Sequence, residues 1–581
     1  MGLVYLLLLL SLNCVHGGGI PTTLEGPFKP VTAPLNKSFS GNVTDLPDVP
    51  SNVEGFQPQQ IFVSLSNNYD SVWISWITGE FQIGYDIQPL DPEWVQSIVQ
   101  FRVLRSQVTY QAKGYSLVYS QIYPYDDLQK YTSGIIHHVL LTVNFRLQSS
   151  FATGLEPNTL YEYECGDPSI SAMSDSHYFR TMPVSNASSY PSRIAVVGGL
   201  GLTYNTTTTV SHLLSNHPAL LLLIGDLSYA DLYFTNGTNS FLQNPFRETY
   251  QPRWDYWGRF MQPLVSNVPT MVIEGEHEIE QQADNYAFVA YSYRFAFPYK
   301  EGGSSSSLYY SFNSGGIHFV MLGAFVNYDK SCTLCLLSSI FLNFLLFMII
   351  FSWLMEPILL DSLVSVAADQ YNWLERDLAE VDRKVTPWLV AAWHRPWYST
   401  YVAHYREAEC MRVEMEELLY HSGVDMVFNG HVHAYERSNR VYNYSLDPCG
   451  PVYITVGDGG NVEGLDIEHA DEPGNCPDPA STADKYLGGF CAFNFTSGPA
   501  SGKFCWDQQP DYSAYRESSF GHGILEIVDV KQQTNRHYCG LQVKNETHAL
   551  WTWHRNQEYY ENAGDIIYIV REPNRCPVSP K

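Results

Sequence analysis

Positive charge is scarce in this chain of 581 residues: 33 Lys and Arg stand against 60 Asp and Glu, a formal net charge of −27. That balance excludes nucleic acid as a partner, because a phosphate backbone would be repelled. It would also repel a polyanionic substrate, which then needs local Lys, Arg or metal charge to receive it. Cysteine is sparse too, at eleven residues. Cys14 falls in the N-terminal leader, and Cys332-Thr333-Leu334-Cys335 has zinc-like spacing but apolar surroundings and no second ligand pair nearby. A structural zinc site is therefore rejected there. Cys410, Cys449, Cys476, Cys491, Cys505 and Cys576 are disulfide candidates, and their pairing cannot be read from their order. The N-terminal apolar run, residues 3–12, lacks the positive charge that usually precedes one. With the small residues that follow, it still reads as a secretory signal over residues 1–18. Sequons at Asn36, Asn42, Asn186, Asn205, Asn236, Asn443, Asn494 and Asn545 fit a glycosylated secreted protein.

What the chain does have is concentrated in its middle. Five apolar runs read as buried strands: residues 194–197, 220–224, 271–273, 388–390 and 424–428. Each is followed closely by a short motif, and all but the first carry groups that can bind metal. In order these are Gly198-Gly199-Leu200-Gly201, Gly225-Asp226-Leu227-Ser228-Tyr229, Gly275-Glu276-His277-Glu278, Ala391-Ala392-Trp393-His394 and Gly430-His431-Val432-His433. In an α/β domain, groups at the carboxyl ends of neighbouring strands converge on one crevice. Asp, Tyr and His gathered there supply the O and N donors that suit two hard or borderline ions. A lone Asp or His at a strand end is usually a cap or a core residue. Four such motifs in order, with a degraded fifth, point to a binuclear centre.

The order and wording of these motifs resemble the purple acid phosphatases, a branch of the calcineurin-like metallophosphoesterases. Flanking text such as Tyr250-Gln251-Pro252-Arg253-Trp254-Asp255 and His433-Ala434-Tyr435-Glu436-Arg437 is similar to the large plant members, including the phytase-like ones. The resemblance implies Fe(III) paired with a divalent ion (Zn, Mn or Fe). It implies that Asp226 bridges the two, that Tyr229 and His433 bind the ferric ion, and that His394 and His431 bind the divalent one. Two positions depart from the family pattern. Gly199 stands where a ferric-ion aspartate is expected, and Glu276 stands where a divalent-ion asparagine is expected. The ligand charge is nearly conserved but wrongly distributed, which implies a weakened ferric site and a crowded divalent one.

Two ions about 3.5–4 Å apart clamp a phosphate ester and lower the pKa of a bound water, so hydroxide is available at acidic pH. The expected reaction is in-line hydrolysis of a phosphate monoester by that hydroxide. The leaving alkoxide needs a proton, and His277 and His404 match the family's histidines that contact phosphate. The donor is left open between them. Small phosphate esters, with phytate among them, are the expected substrates. Alternatives are a phytase or phosphodiesterase specialisation, or a glycoprotein that keeps the fold with weak or no catalysis because of Gly199. A homodimer is left open, and the expected location is extracellular, in the cell wall or a vacuole.

The length calls for about three domains. Residues 19–55, rich in Pro, Asn, Ser and Gly, read as an extended lead-in. Residues 56–185 alternate as strands and suit an all-β sandwich of the fibronectin III kind. Residues 192–440 alternate strand and helix as an α/β sandwich, the metallophosphoesterase catalytic domain. Residues 450–576 return to strands and are expected to complete the second sheet of the phosphatase fold. An atypical segment, 332–367, contains 22 uncharged residues at 334–355, long enough to cross a bilayer. A single crossing would leave the first three motifs and the last two on opposite sides, so no stable span is expected. Together with 143–153 and 527–542, it reads as translated intron or a gene-model artefact.

Overall fold

A computed structural model describes residues 20–35, 44–46, 54–67, 69–142, 144–147, 150–240, 248–283, 286–328, 369–478, 503–527, 546–558, 563–572 and 576. The leader, the sequons Asn36, Asn42, Asn494 and Asn545, the segment 332–367, Cys491 and Cys539 lie outside these residues.

Two β-sheets form the larger part of the molecule. One has six strands in the order Thr270–Ile273, Leu220–Ile224, Ile194–Val197, Gly521–Ile527, His548–Arg555 and Asp565–Val570. The other has eight, in the order Val31–Thr32, Ser513–Glu517, Tyr435–Ser438, Val452–Val456, Met426–Asn429, Trp388–Ala392, Ile317–Met321 and Tyr310–Ser314. The strands that lead into the motifs pair in parallel: Ile194–Val197 with Leu220–Ile224 with Thr270–Ile273, and Trp388–Ala392 with Met426–Asn429. Each is buried along its whole length, as a parallel strand covered on both faces must be. Parallel pairing puts the carboxyl ends at one edge of each sheet, and contacts between the two sheets, such as His394 Nδ1 on the Ile224 carbonyl, bring the two sets of motifs together.

The C-terminal region corrects one expectation. Residues 450–576 serve both sheets: Val452–Val456 and Ser513–Glu517 join the eight-stranded one, and the last three strands complete the six-stranded one. The reason is that Gly521–Ile527 pairs antiparallel with the edge of Ile194–Val197, which would otherwise be left open. Helices Tyr204–Asn216, Pro252–Val265, Asp369–Glu380 and Glu409–His421 occupy the connections. Thr203 caps the first: its Oγ1 accepts from the Asn205 and Thr206 amides, while Thr206 Oγ1 accepts from the Thr203 amide.

The N-terminal region is all β. Gln59–Leu65, Val72–Thr78, Ile135–Leu141 and Tyr115–Leu117 form one sheet. Leu160–Asp167, Ile98–Val103 and Tyr110–Lys113, with two short strands, form another. A buried ion pair, Arg294–Asp255 at 3.2 Å, joins this region to the catalytic part through the Tyr119 and Tyr131 hydroxyls. Residues 144–147 and 150–153 form a hairpin that pairs only with itself among the described residues. Disulfides link Cys449 to Cys576 and Cys476 to Cys505, and Cys410 is disulfide-bonded as well. Among the described residues, no helix is long and apolar enough to cross a membrane.

Candidate metal centre

Glycine shapes the loops that leave the strands. Gly225 has φ +76°, and a side chain there would collide with His394 Nδ1; one at Gly275 would collide with the Asp226 carboxylate. Asp226, Tyr229, His404 and His431 also adopt positive φ, at 55°, 55°, 53° and 66°. That conformation is uncommon for side-chain-bearing residues. Glu278 fastens the loops by accepting from the amides of Asp226, Leu227 and Gly275 at 2.7, 2.8 and 2.7 Å. Burial, and after it the Asp226 charge, pushes its carboxyl up to about 7.

The crevice holds the Asp226 carboxylate 2.9 Å from His394 Nε2. His394 Nδ1 lies 2.7 Å from the Ile224 carbonyl, so it carries the proton and leaves the Nε2 lone pair facing Asp226. That buried Nε2 has no hydrogen-bond partner. A ring nitrogen 2.9 Å from a buried carboxylate is the arrangement that a shared cation would fill. On the other side the Tyr229 hydroxyl lies 3.3 Å from His433 Nε2. His431 Nε2 lies 3.0 Å from Glu407 and 3.7 Å from Glu276. Asp226, His394 and His431 bring donor atoms together as a group that could hold one ion, and Glu276, His404, Glu407 and His431 form a second such group.

Electrostatics separate these imidazoles into two kinds. Burial drives His431 well below its ordinary value, with His404 adding to the drop, and burial lowers His433 as well. Both are thereby kept neutral, as a ligand must be. Burial would also lower His277, but Asp231 at 2.9 Å from Nδ1, then Asp226, then Glu463 at 3.3 Å from Nε2 lift it well above the ordinary value. His404 follows the same pattern, lifted to about 9 by Glu407 at 3.1 Å against the effect of burial. Burial opposes the charge on Glu463, yet His277 and His433 bring its carboxyl down to about 2. Burial and the neighbouring Asp226 push the Tyr229 phenol well up.

The calcineurin-like phosphoesterase family profile matches residues 169–435, and the purple acid phosphatase N-terminal domain profile matches residues 58–181. Purple acid phosphatase 15 of Arabidopsis thaliana is 59% identical over 592 residues, covering 99% of this chain and 98% of that one. The chain belongs to the purple acid phosphatases. The Fe(3+)-Zn(2+) purple acid phosphatase 12 of Arabidopsis thaliana is 30% identical, over 98% of this chain and 94% of that one. The solved purple acid phosphatase PPD1 from yellow lupin (Lupinus luteus) seeds shares the fold, with a TM-score of 0.57 at 18% identity, covering 89% of this chain and 75% of that one. The family implies a dinuclear metal centre, and the donor set at the strand ends, with its unpartnered His394 Nε2, fits one.

Against the sequence expectations, Asp226, Tyr229, His394, His431 and His433 line one crevice, with His277 and His404 on its flanks. Glu276 is the most exposed of them, with 45% of its side chain accessible, and its carboxylate lies 3.7 Å from His431 Nε2, within the second donor group. Gly199 has φ +61°, and a Cβ there would lie 3.5 Å from the Tyr229 hydroxyl but would collide with the Gly457 carbonyl. The position therefore faces the centre, and its space is closed. Asp231, Glu407 and Glu463 were not identified from sequence, and Glu278 was read only as part of its motif, without a role. Asp231 and Glu407 stand two and three residues beyond Tyr229 and His404, a short-range signal that could have found them. Glu463 arrives from a Gly-rich loop after Val452–Val456 and carries no local signal.

Proposed function

We propose that this phosphatase hydrolyses phosphate monoesters at acidic pH, in a secreted, glycosylated form. The observation that carries the reading is the convergence of Asp226, Tyr229, His394, His431 and His433 at the ends of parallel strands. Asp226 would bridge two ions, Tyr229 and His433 would hold Fe(III), and His394 and His431 would hold a divalent ion. When bound, such ions polarise phosphoryl oxygens and lower the pKa of water. The chain supplies the rest. His277 and His404, each held by a carboxylate, keep protons at the rim of the crevice, where they can bind a phosphoryl oxygen or protonate a leaving alkoxide. Asp231 and Glu407 orient those rings. The leader at 1–18 and the disulfides support an oxidising, extracellular setting.

The closed space at Gly199 favours a second reading, a weakly active protein that keeps the fold. Purified protein loaded with iron and zinc should hydrolyse an aryl phosphate below neutral pH and bind up to two ions per chain. Two bound ions without turnover would replace the first reading by the second. A panel of monoesters, diesters and phytate then decides the specialisation.

A further inference from the structure

A second concentration of charge lies at the far end of the eight-stranded sheet. Met426–Asn429 carries Gly430–His433 at its carboxyl end, and Asp425 precedes it. Four extended residues put those ends roughly 13 Å apart. Around Asp425 opens a cleft of about 610 Å³, a size typical of small-molecule sites.

Its lining reverses the charge of the chain. Arg383, Lys384, Arg437, Arg440 and Arg571 face it, against the carboxylates of Asp425, Asp447 and Glu572. Arg437 is matched behind the wall by Asp565 at 2.6 Å, which leaves four cations against three anions. The chain as a whole carries 33 basic residues against 60 acidic ones. Asp425 is also shared: Arg383 lies at 2.7 Å and Arg571 at 3.7 Å, while the Leu389 amide donates to the same Oδ2 as Arg383. One carboxylate thus serves two guanidiniums. Lys384 is exposed, and its ammonium makes no ion pair or hydrogen bond within the described residues. Burial holds Arg571 below its ordinary value, with Asp425 opposing and Arg383 adding to the fall. An anion placed between these groups would relieve that cost. Leu24 and Phe28, from the N-terminal lead-in, supply an apolar wall beside them.

We propose that this cleft is a second binding site, for a small organic molecule with a dianionic phosphoryl head. The head sits against Lys384, Arg383 and Arg571, and the apolar body lies along Leu24 and Phe28. The site is separate from the metal centre and stands whether or not the centre turns over.

Calorimetric titration of the full chain with phenylphosphonate tests it. In a His431→Ala background, which disables the metal centre, one saturable site per chain should remain. Lys384→Glu should weaken that site about tenfold, the loss of one charge-assisted contact, and Lys384→Arg should retain it. Added salt should weaken it too, because the contacts are partly exposed. Lys384→Glu alone should leave aryl phosphate hydrolysis unchanged. Absence of saturable binding in the His431→Ala chain, or a residual site indifferent to Lys384→Glu, would overturn the proposal.

Discussion

His137 and His138 in the N-terminal sandwich are buried, as His277 at the metal centre is, yet they are built for the protonation state opposite to that of His277 and His404. His137 lies between Thr78 and Ser97, at 2.8 Å from each hydroxyl, and stacks on Trp76. His138 meets the Ser75 hydroxyl at 2.7 Å and the Tyr293 carbonyl at 2.9 Å. No carboxylate touches either ring, and burial lowers them to about 3 and about 4. His277 and His404 each have a carboxylate within 3.1 Å and are lifted instead. Between these two pairs the carboxylate partner makes the difference; His431, with Glu407 at 3.0 Å but deeper burial and His404 beside it, stays low.

The largest way to break this contrast is to remove the group the centre shares. Asp226→Ala should abolish activity and metal binding together, because Asp226 faces His394 and is the implied bridge. The sandwich, with its own histidines untouched, should stay folded. Metal analysis and circular dichroism of the same sample check both halves. Two ions still held tightly would sink the assignment of the centre.

The second test acts on the sandwich. Folded His137 and His138 are neutral, whereas the unfolded chain takes up protons below about pH 6.5. Stability is therefore complete above that value and falls as pH drops toward the folded values of about 3 and 4. Between pH 7 and 5 the loss is about 2 kcal/mol for each ring. Urea unfolding at pH 7 and pH 5 should show it, and His137→Gln with His138→Gln should flatten the dependence. An unchanged slope in the double variant would mean that other groups set it.

The third concerns the two departures from the family pattern. Gly199→Asp with Glu276→Asn should raise turnover about a hundredfold and increase iron content, since one more anionic donor would face Tyr229. The backbone there already has the left-handed φ that Asp tolerates, but the loop bearing Gly457 must retreat to make room. Loss of stability with no gain in iron would show that this chain has settled around glycine.

Much of this contrast was readable in advance on one side only. The strands Ile194–Val197 and Leu220–Ile224 coincide with their apolar runs. Parallel order in each sheet then places its motifs at one edge, while the choice of donors among them came from the family resemblance. The carboxylates that tune His277 and His404 were less visible. Glu463 reaches His277 from 186 positions away in a loop with no motif of its own, and only tertiary folding brings them together. The sandwich histidines were invisible for a related reason. Val72–Thr78 and Ile135–Leu141 alternate as strands should, but cross-strand pairing decides that Ser75 and His138 share a face. That register is set by the fold and not by either segment alone.

The smallest expected effect sharpens the comparison most. Asp231→Asn keeps an oxygen that can accept from His277 Nδ1 but removes the charge that lifts the ring. His277 would then sit in surroundings closer to those of His138, hydrogen-bonded but less strongly charged. The turnover number should fall about tenfold, the lower end for positioned acid–base groups and their supports. KM should change little if the ring keeps its place. The sign of the pH effect follows from the direction of the shift. A raised pKa keeps the imidazolium present to high pH, so removing its cause should move the alkaline limb of the activity profile toward lower pH. Glu463, at 3.3 Å from Nε2, still supports the charge, so the move should be partial. A merely structural Asp231 would lower thermal stability or metal content and leave the limb where it was. That outcome would return His277 to the class of buried, inert histidines and leave His404 as the proton carrier.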